Sequence, residues 1–257
     1  MNDTPPIIDV TGLTKRYHDL VAVDNLDFRV AGGTILGLVG PNGAGKTTSM
    51  RCMTGIIPAT AGRMSVAGHD LETDALEAKR HLAFVPDTPH LFDYLTVDEH
   101  LRFAGRIYGL ADVKERADRL LGEFELLEKR QHLPGALSRG MKQKAAICMA
   151  FLHDPMAIFL DEPLTGLDPI GIRSMKDSIV QRAKEQGAAV VVSSHQLELI
   201  EEICDEIFVI QEGKKVIEGS LSEIHAELTG LPDDPSLEDI FFHLTEGGER
   251  NRSTPDA

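Results

Sequence analysis

Residues 40–47 read Gly40-Pro41-Asn42-Gly43-Ala44-Gly45-Lys46-Thr47, and Thr48 follows directly. Residues 35–39 before them form a continuous apolar run broken only by a glycine, which predicts a buried strand. Residues 47–54 after them are typical of a helix, with a glycine and then a proline beyond its end. Strand, glycine-rich loop and helix in this order predict a phosphate-binding P-loop in an α/β fold.

Each residue type in this loop has a physical reason. The glycines let backbone N–H groups turn inward around phosphates, and the N-terminus of the following helix favours an anion. We expect Lys46 to reach the β and γ phosphates and Thr47 to ligate Mg²⁺. A chance glycine-rich turn is the alternative, but a full match between a strand and a helix makes it a minor one. Residues 40–48 are therefore predicted to bind ATP or GTP.

The rest of the chain supports an α/β core with an insertion. Two further apolar runs, at 157–160 and 189–192, predict buried strands separated by a helix near 172–185, as in a parallel sheet. Residues 96–153 instead carry apolar side chains at helical spacing, which predicts an inserted helical lobe. Residues 206–219 predict a β-hairpin.

Two carboxylates, Asp161 and Glu162, follow the predicted strand at 157–160. The carboxyl edge of an α/β sheet is where ligands bind, so both side chains are expected beside the P-loop. We predict that Asp161 holds the metal and that Glu162 orients and polarises the attacking water as general base. A pair that merely caps the strand end is the alternative.

Composition excludes several classes of function. The 257 residues allow one compact unit with a subdomain, and no run of about 18 apolar residues is present to span a bilayer. Asp and Glu outnumber Lys and Arg by 41 to 26, giving a net charge of −15, which argues against nucleic acid as a partner. The N-terminus lacks the basic and apolar stretches of a signal peptide, so a cytoplasmic protein is expected. Cys52, Cys148 and Cys204 are odd in number and widely spaced, which favours reduced thiols over disulfides or a metal site.

Residues 137–141 read Leu137-Ser138-Arg139-Gly140-Met141, before a predicted helix and upstream of Asp161. This segment resembles the signature motif of ATP-binding cassette (ABC) proteins. A Leu-Ser-x-Gly sequence is common by itself, but here the P-loop precedes it and Asp168 and His195 follow at family-like positions. The resemblance covers residues 7 to about 242.

The resemblance implies roles for residues outside the P-loop. Ser138 and the amide of Gly140 would bind the γ-phosphate of a nucleotide held by a second copy, in a head-to-tail dimer. Asp168 would lie in a loop crossing that interface, although a plain turn before a helix is the alternative. His195 would contact the γ-phosphate, against the alternative of an unremarkable strand-end histidine, and Tyr17 would stack on adenine. The expected catalytic residues are thus Glu162, His195 and Lys46.

Two departures from the family pattern qualify this transfer. Arg139 replaces a glycine and Met141 a glutamine within the signature, while the two contacting positions are kept. Asp87 stands where the family usually has a glutamine that touches Mg²⁺ and the attacking water. An aspartate can ligate Mg²⁺, but an ionised carboxylate cannot donate a hydrogen bond to that water.

The resemblance also implies the architecture: a P-loop NTPase core with a mainly parallel sheet, an N-terminal antiparallel β subdomain and an inserted α-helical subdomain. We expect one domain over residues 1–242. Its parts are the core at about 7–90 and 154–220, the helical subdomain at about 91–153 and C-terminal helices at about 221–242, followed by a disordered tail at 243–257.

The function implied is the ATP-binding and ATP-hydrolysing subunit of an ABC transporter, driving a separate membrane permease with ATP and Mg²⁺. The segments 96–101, 137–144 and 236–241 resemble bacterial exporters of the ABC-2 type, and export of a drug, lipid or polysaccharide is the implied task. The chain would pair with a second ATP-binding subunit, as a homodimer, and lie on the inner face of the cell membrane through its permease.

Two other interpretations stay open at this point. A soluble cassette ATPase of DNA repair or translation uses the same nucleotide sandwich, but this chain has one cassette, no heptads and a net negative charge. A silent subunit that binds ATP without turnover is suggested only by Asp87, and the presence of Glu162 and His195 argues against it.

Overall fold

The computed structural model describes residues 5–228 and 236–250, with side chains to residue 244. The strands are β1 Ile8–Tyr17, β2 Leu20–Val30, β3 Ile35–Val39, β4 Ala61–Val66, β5 His69–Asp70, β6 Leu82–Val85, β7 Ala157–Asp161, β8 Ala189–Ser193, β9 Glu206–Gln211 and β10 Lys214–Gly219. The helices are α1 Lys46–Met53, α2 Ala75–Arg80, α3 Val97–Ile107, α4 Val113–Glu123, α5 Arg139–Phe151, α6 Pro169–Lys184, α7 Leu197–Ile203, α8 Leu221–Glu227 and α9 Leu237–Arg250. Within the described ranges, none of these helices combines the length and apolar character needed to cross a membrane.

The strands form two sheets. The six-stranded sheet has the order β10-β9-β3-β8-β7-β6, in which β9, β3, β8, β7 and β6 run parallel and β10 pairs antiparallel with β9. The four-stranded sheet has the order β2-β1-β4-β5 and is antiparallel throughout. The predicted α/β fold, with its parallel core and N-terminal antiparallel sheet, is confirmed.

Strand β3 lies in the middle of the larger sheet and contributes to two hydrophobic cores. Ile35 and Val39 pack into the core that contains the helical lobe, whereas Leu36 and Leu38 pack into the core beneath the antiparallel sheet. All four side chains are almost fully buried. Alternation along a strand sends successive side chains to opposite faces, so a strand covered on both sides has to be apolar at every position. The continuous apolar run predicted this arrangement correctly.

Helices α3, α4 and α5 make up the inserted lobe, which contains no strand, as predicted. Helix α3 begins at a capping box: the Thr96 hydroxyl accepts from the Glu99 amide at 3.2 Å, and the Glu99 carboxylate accepts from the Thr96 amide at 2.8 Å. Phe124 and Phe151 are buried and pack at 6.4 Å between ring centroids, closing the lobe onto the main core. Helix α5 therefore presents its N-terminus, the signature segment, from a lobe that is firmly packed.

The hairpin of β9 and β10 forms as predicted, and its turn returns to the P-loop. The amide of Gly213 donates to the carbonyl of Ala44 at 2.9 Å, and the amide of Asp24 donates to the carbonyl of Gly213 at 2.8 Å. The turn thus ties β2 to the glycine-rich loop. It forms one wall of a cleft beside the glycine-rich loop.

The C-terminal helix differs from the expected boundary. Helix α9 runs to Arg250, so the domain end expected at residue 242 falls inside a helix. Its first turns dock on the main core, where Leu237 and Ile240 are fully buried. No proline interrupts the segment after that, so the hydrogen-bonded turns continue into polar sequence that we expected to be disordered. Of that expected tail, residues 251–257 lie outside the described residues.

Candidate nucleotide-binding and hydrolysis site

A cleft of about 670 Å³ opens at the carboxyl ends of β3 and β7. It is lined by most of the residues predicted to act together, namely Tyr17, residues 42–48, Asp87, Asp161 and Glu162. Parallel strands end at the same edge of a sheet, which is why segments more than a hundred residues apart in sequence meet here. The cleft also offers an aromatic ring at one end, because Tyr17 is 44% exposed at the end of β1.

The glycines of the loop have steric reasons that the structure makes explicit. Gly45 has φ of +110°, and a Cβ there would lie 2.6 Å from the carbonyl oxygen of Ala22. A Cβ at Gly40 would lie 2.2 Å from the carbonyl oxygen of Ile210. Any side chain at either position would push the loop away from β2 or β9.

Lys46 is the buried cation of the cleft, with 9% of its surface exposed. Its Nζ donates to the carbonyl oxygens of Gly40 at 2.6 Å and Pro41 at 3.1 Å, so these two residues position the lysine rather than line the cleft. Burial lowers the pKa of Lys46, while the charges of Glu162 and Asp161 oppose that shift. A cation held by uncharged carbonyls in a partly dry site is well suited to attract phosphate oxygens.

Asp161 is 2% exposed and is held by the hydroxyl of Ser193, which donates to its Oδ1 at 2.6 Å. Asp161, Thr47 and Asp87 all line the cleft and present oxygen atoms, the ligands that Mg²⁺ prefers. The part of the chain that the structure describes contains no cluster of three or more His, Cys, Asp or Glu side chains able to hold a metal. The oxygen atoms of Asp161, Thr47 and Asp87 fit a Mg²⁺ ion that takes its other ligands from phosphate and water.

Glu162 and His195 form a hydrogen-bonded pair. Nδ1 of His195 lies 2.7 Å from Oε2 of Glu162, and the His195 amide donates to the same oxygen at 3.3 Å. An ionised carboxylate can only accept, so this contact requires the proton on Nδ1. His195 is exposed. It contacts Glu162 but is not among the residues that line the cleft. The predicted base and the predicted switch histidine are thus brought together.

The backbone of Glu162 is unusual. It has φ of +51°, and its amide donates to the carbonyl of Ser193 at 3.1 Å on the neighbouring strand β8. A non-glycine residue in the left-handed region costs on the order of 1–3 kcal/mol and persists only where its surroundings impose it. With its backbone held in this way, Glu162 lines the cleft immediately after a buried strand.

The signature residues lie away from this cleft. Ser138 and Gly140, both in the described part of the chain, are not among the residues that line it. The Ser138 hydroxyl caps α5 by accepting from the Met141 amide at 3.2 Å. A Cβ at Gly140 would lie 2.4 Å from the carbonyl oxygen of Gly166, so packing alone requires glycine there.

Asp168 also has a structural role. It caps α6, with Oδ1 accepting from the Gly171 amide at 3.0 Å, and Lys144 Nζ lies 3.6 Å from the same oxygen. The Gly171 amide, and secondarily Lys144, lower the pKa of Asp168. Its expected place in a dimer interface stays a prediction.

Sequence reasoning missed several residues of the site. Residues 20–22 and 212–213 line the cleft, although only the predicted hairpin turn gave a signal for the second pair. The support of Asp161 by Ser193 was not predicted either. Asp87 was predicted as a metal ligand, but its contact with Arg139, whose Nη2 donates to Asp87 Oδ1 at 3.3 Å, was not.

A central P-loop strand, carboxylates at the neighbouring strand end and a helical lobe carrying a second motif define a cassette-type ATPase domain. The family described as ABC transporter matches residues 23–165. The chain belongs to the ABC transporter family.

Individual relatives agree with this placement. The chain is 33% identical to YbhF of Escherichia coli (strain K12), named a probable multidrug ABC transporter ATP-binding protein, over 96% of this chain and 43% of that protein. It therefore spans less than half the length of that relative. It is 37% identical to SkfE of Bacillus subtilis (strain 168), named SkfA peptide export ATP-binding protein, over 81% of this chain and 87% of that protein. A solved structure of the ATP binding subunit of an ABC transporter is 33% identical, with a TM-score of 0.87 over 93% of this chain and 99% of that one.

Proposed function

We propose that this chain is the ATP-binding and ATP-hydrolysing subunit of an ABC transporter that exports its substrate through a separate membrane permease. The observation that carries the proposal is the convergence of Lys46, Asp161 and Glu162 on one cleft, with His195 in contact with Glu162 from outside it. Phosphoryl transfer needs little covalent work from a protein and depends on charge neutralisation and on the placement of water. These residues supply both.

In the proposed reaction, Lys46 leaves the carbonyls of Gly40 and Pro41 for the β and γ phosphates. A Mg²⁺ ion held by Thr47, Asp161 and Asp87 supplies further neutralisation of phosphate charge when bound. Glu162 accepts a proton from a water molecule while the oxygen of that water attacks the γ-phosphorus. The bond between the γ-phosphorus and the bridging oxygen breaks, which gives ADP and phosphate.

His195 keeps the Glu162 carboxylate in place through the 2.7 Å contact. Since the Glu162 backbone is fixed by Ser193 on β8, the base is restrained from both ends. This double restraint favours one position of the carboxylate, as a base that must meet a water molecule requires. Tyr17, half exposed at the cleft mouth, is the proposed platform for adenine.

We further propose that two copies of the chain pair head to tail. Ser138 and Gly140 lie outside the cleft of their own chain, which is the observation that calls for a second copy. The Ser138 hydroxyl accepts from Met141 and keeps its own O–H to donate to a partner's γ-phosphate. The N-terminus of α5 adds its positive dipole end to the same place. Nucleotide would thus hold the pair closed, and hydrolysis would release it.

The transport part of the proposal rests on the relatives and on the resemblance to ABC-2 exporters. The names of YbhF and SkfE refer to multidrug transport and peptide export. A permease in another polypeptide would bring this chain to the inner face of the membrane. Relatives whose names refer to different substrates share this ATP-binding domain. We infer that the domain does not select the transported substrate.

The test is ATP hydrolysis by the purified chain, alone and in vesicles with a membrane protein that a neighbouring gene encodes. We expect the membrane protein to raise the rate and Glu162→Gln to abolish it, while Glu198→Gln, an exposed glutamate of α7, leaves it unchanged. Absence of hydrolysis in both preparations would contradict the ATPase assignment. Hydrolysis without association or stimulation by that protein would contradict the transporter assignment alone.

A further inference from the structure

Two of the three positions at which the chain departs from the expected pattern, Arg139 and Asp87, contact each other. Nη2 of Arg139 donates to Oδ1 of Asp87 at 3.3 Å, although 52 positions separate them in sequence. Arg139 is the first residue of α5 in the helical lobe, and Asp87 lies just beyond the end of β6 in the core. The ion pair therefore connects the signature end of the lobe to the rim of the nucleotide cleft.

The position of Arg139 is not explained by the stability of its helix. A positive side chain at a helix N-terminus opposes the macrodipole, and α5, described over its whole length, has no acidic residue in its first turn to offset it. The aliphatic part of the Arg139 side chain instead lies across Gly166. A Cβ placed on Gly166 would be 3.3 Å from both Cγ and Cδ of Arg139. The side chain is thus braced on one loop while it holds a carboxylate on another.

Asp87 adds a carboxylate to a cleft that Asp161, Glu162 and Glu212 also line. Additional negative charge beside bound phosphates is unfavourable unless a cation neutralises it. In this structure the guanidinium of Arg139 fills that role, and the same carboxylate is a candidate ligand for Mg²⁺. The Asp87 carboxylate accordingly has two possible cationic partners.

We propose that Arg139 is a positioning residue that holds Asp87 at the cleft rim and competes with a divalent cation for its carboxylate. When Asp87 turns to a cation, this one ion pair between the lobe and the core is broken. One restraint on the N-terminus of α5 is then removed. The proposal rests on the nucleotide site proposed above and adds a way in which Mg²⁺ loading is coupled to the lobe.

The experiment is a Mg²⁺ titration of mant-ATP binding, followed by fluorescence at a fixed low nucleotide concentration for every variant. Arg139→Ala removes the competitor, so we expect the Mg²⁺ concentration at half-saturation to fall by about 1.5- to 5-fold, the range for a half-exposed ion pair. In an Asp87→Asn background the same substitution is expected to have no effect. Arg139→Lys, which keeps the charge but not the planar fork, is expected to lie between wild type and Arg139→Ala.

The matched control is Arg29→Ala, because Arg29 pairs with Asp9 at the same 3.3 Å distance outside the cleft. It should leave the Mg²⁺ dependence unchanged. An unchanged midpoint in Arg139→Ala, or a shift that persists without Asp87, would overturn the competition. Failure of the wild-type chain to bind mant-ATP at any Mg²⁺ concentration would instead overturn the nucleotide site, and the inference with it.

Discussion

His153 makes the stability of the chain dependent on pH in a defined window. The histidine follows α5, stacks on Tyr108 at 3.6 Å between ring centroids, and has Nε2 3.2 Å from the carbonyl oxygen of Leu82. Burial lowers the pKa of His153 from 6.5 to about 4, with the Leu82 carbonyl opposing the shift. The folded chain therefore resists protonation of a residue that joins the lobe to β6.

The direction of this pH dependence follows from the protons that the folded and unfolded chains bind. Between pH 6.5 and about 4 the unfolded chain binds a proton at His153 that the folded chain does not, so the free energy of unfolding falls as the pH decreases. At about 1.36 kcal/mol per pH unit, the loss from pH 7 to pH 4.5 is at most roughly 2.7 kcal/mol. The contribution of the neutral His153 side chain to the free energy of unfolding is complete above pH 6.5 and absent below about pH 4.

Urea unfolding of wild type and His153→Gln at pH 7 and pH 4.5 measures this contribution. The glutamine can still reach the Leu82 carbonyl but does not titrate, so we expect the variant to lose about 1–3 kcal/mol less than wild type between the two pH values. His90→Gln, at an exposed position, is the control and should behave like wild type. An equal loss in His153→Gln and wild type would refute the reasoning.

Three further predictions concern the cleft. Lys46→Ala removes the cation that faces the phosphates, and we expect ATP affinity by calorimetry to fall about 10- to 150-fold, the equivalent of a charged hydrogen bond of about 1.5–3 kcal/mol; unchanged affinity would contradict the P-loop assignment. Glu162→Gln keeps the shape of the side chain but removes the general base, so turnover is expected to fall at least about 10²-fold. ATP binding should persist, and an ATP-bound dimer should accumulate in size-exclusion chromatography. Ser193→Ala leaves Asp161 without its 2.6 Å donor, and we expect the Mg²⁺ requirement for ATP binding to rise about 10-fold; an unaltered Mg²⁺ titration would show that Ser193 does not position the ligand.

The sequence was most informative where a local pattern has one physical solution. A strand covered on both faces is apolar at every position, and residues 35–39 showed this directly. A phosphate loop needs glycines where its backbone approaches other strands, as at Gly40 and Gly45. The carboxylates at 161 and 162 followed from their place at a strand end. In each case a few consecutive residues were enough.

The contacts between distant segments could not be predicted in this way. Ser193 and Asp161 meet only because β7 and β8 pair in a given register, with Asp161 opposite Ser193. Arg139 and Asp87 meet because a lobe folds back over the core, which no local spacing reveals. The end of α9 was missed for a different reason, since polar sequence at a helix end resembles a disordered tail.

The membership of β3 in both hydrophobic cores has a thermodynamic consequence. The P-loop continues directly from a strand whose two faces belong to different cores, so unfolding of either core removes the nucleotide site. A ligand that binds only the folded chain stabilises it by about 2.7 kcal/mol at 100 times its dissociation constant. Because that stabilisation is shared by both cores, saturating nucleotide is expected to shift a single melting transition upward rather than to separate two. The melting temperature of the whole domain is therefore expected to rise with the logarithm of nucleotide concentration, even after the site is full.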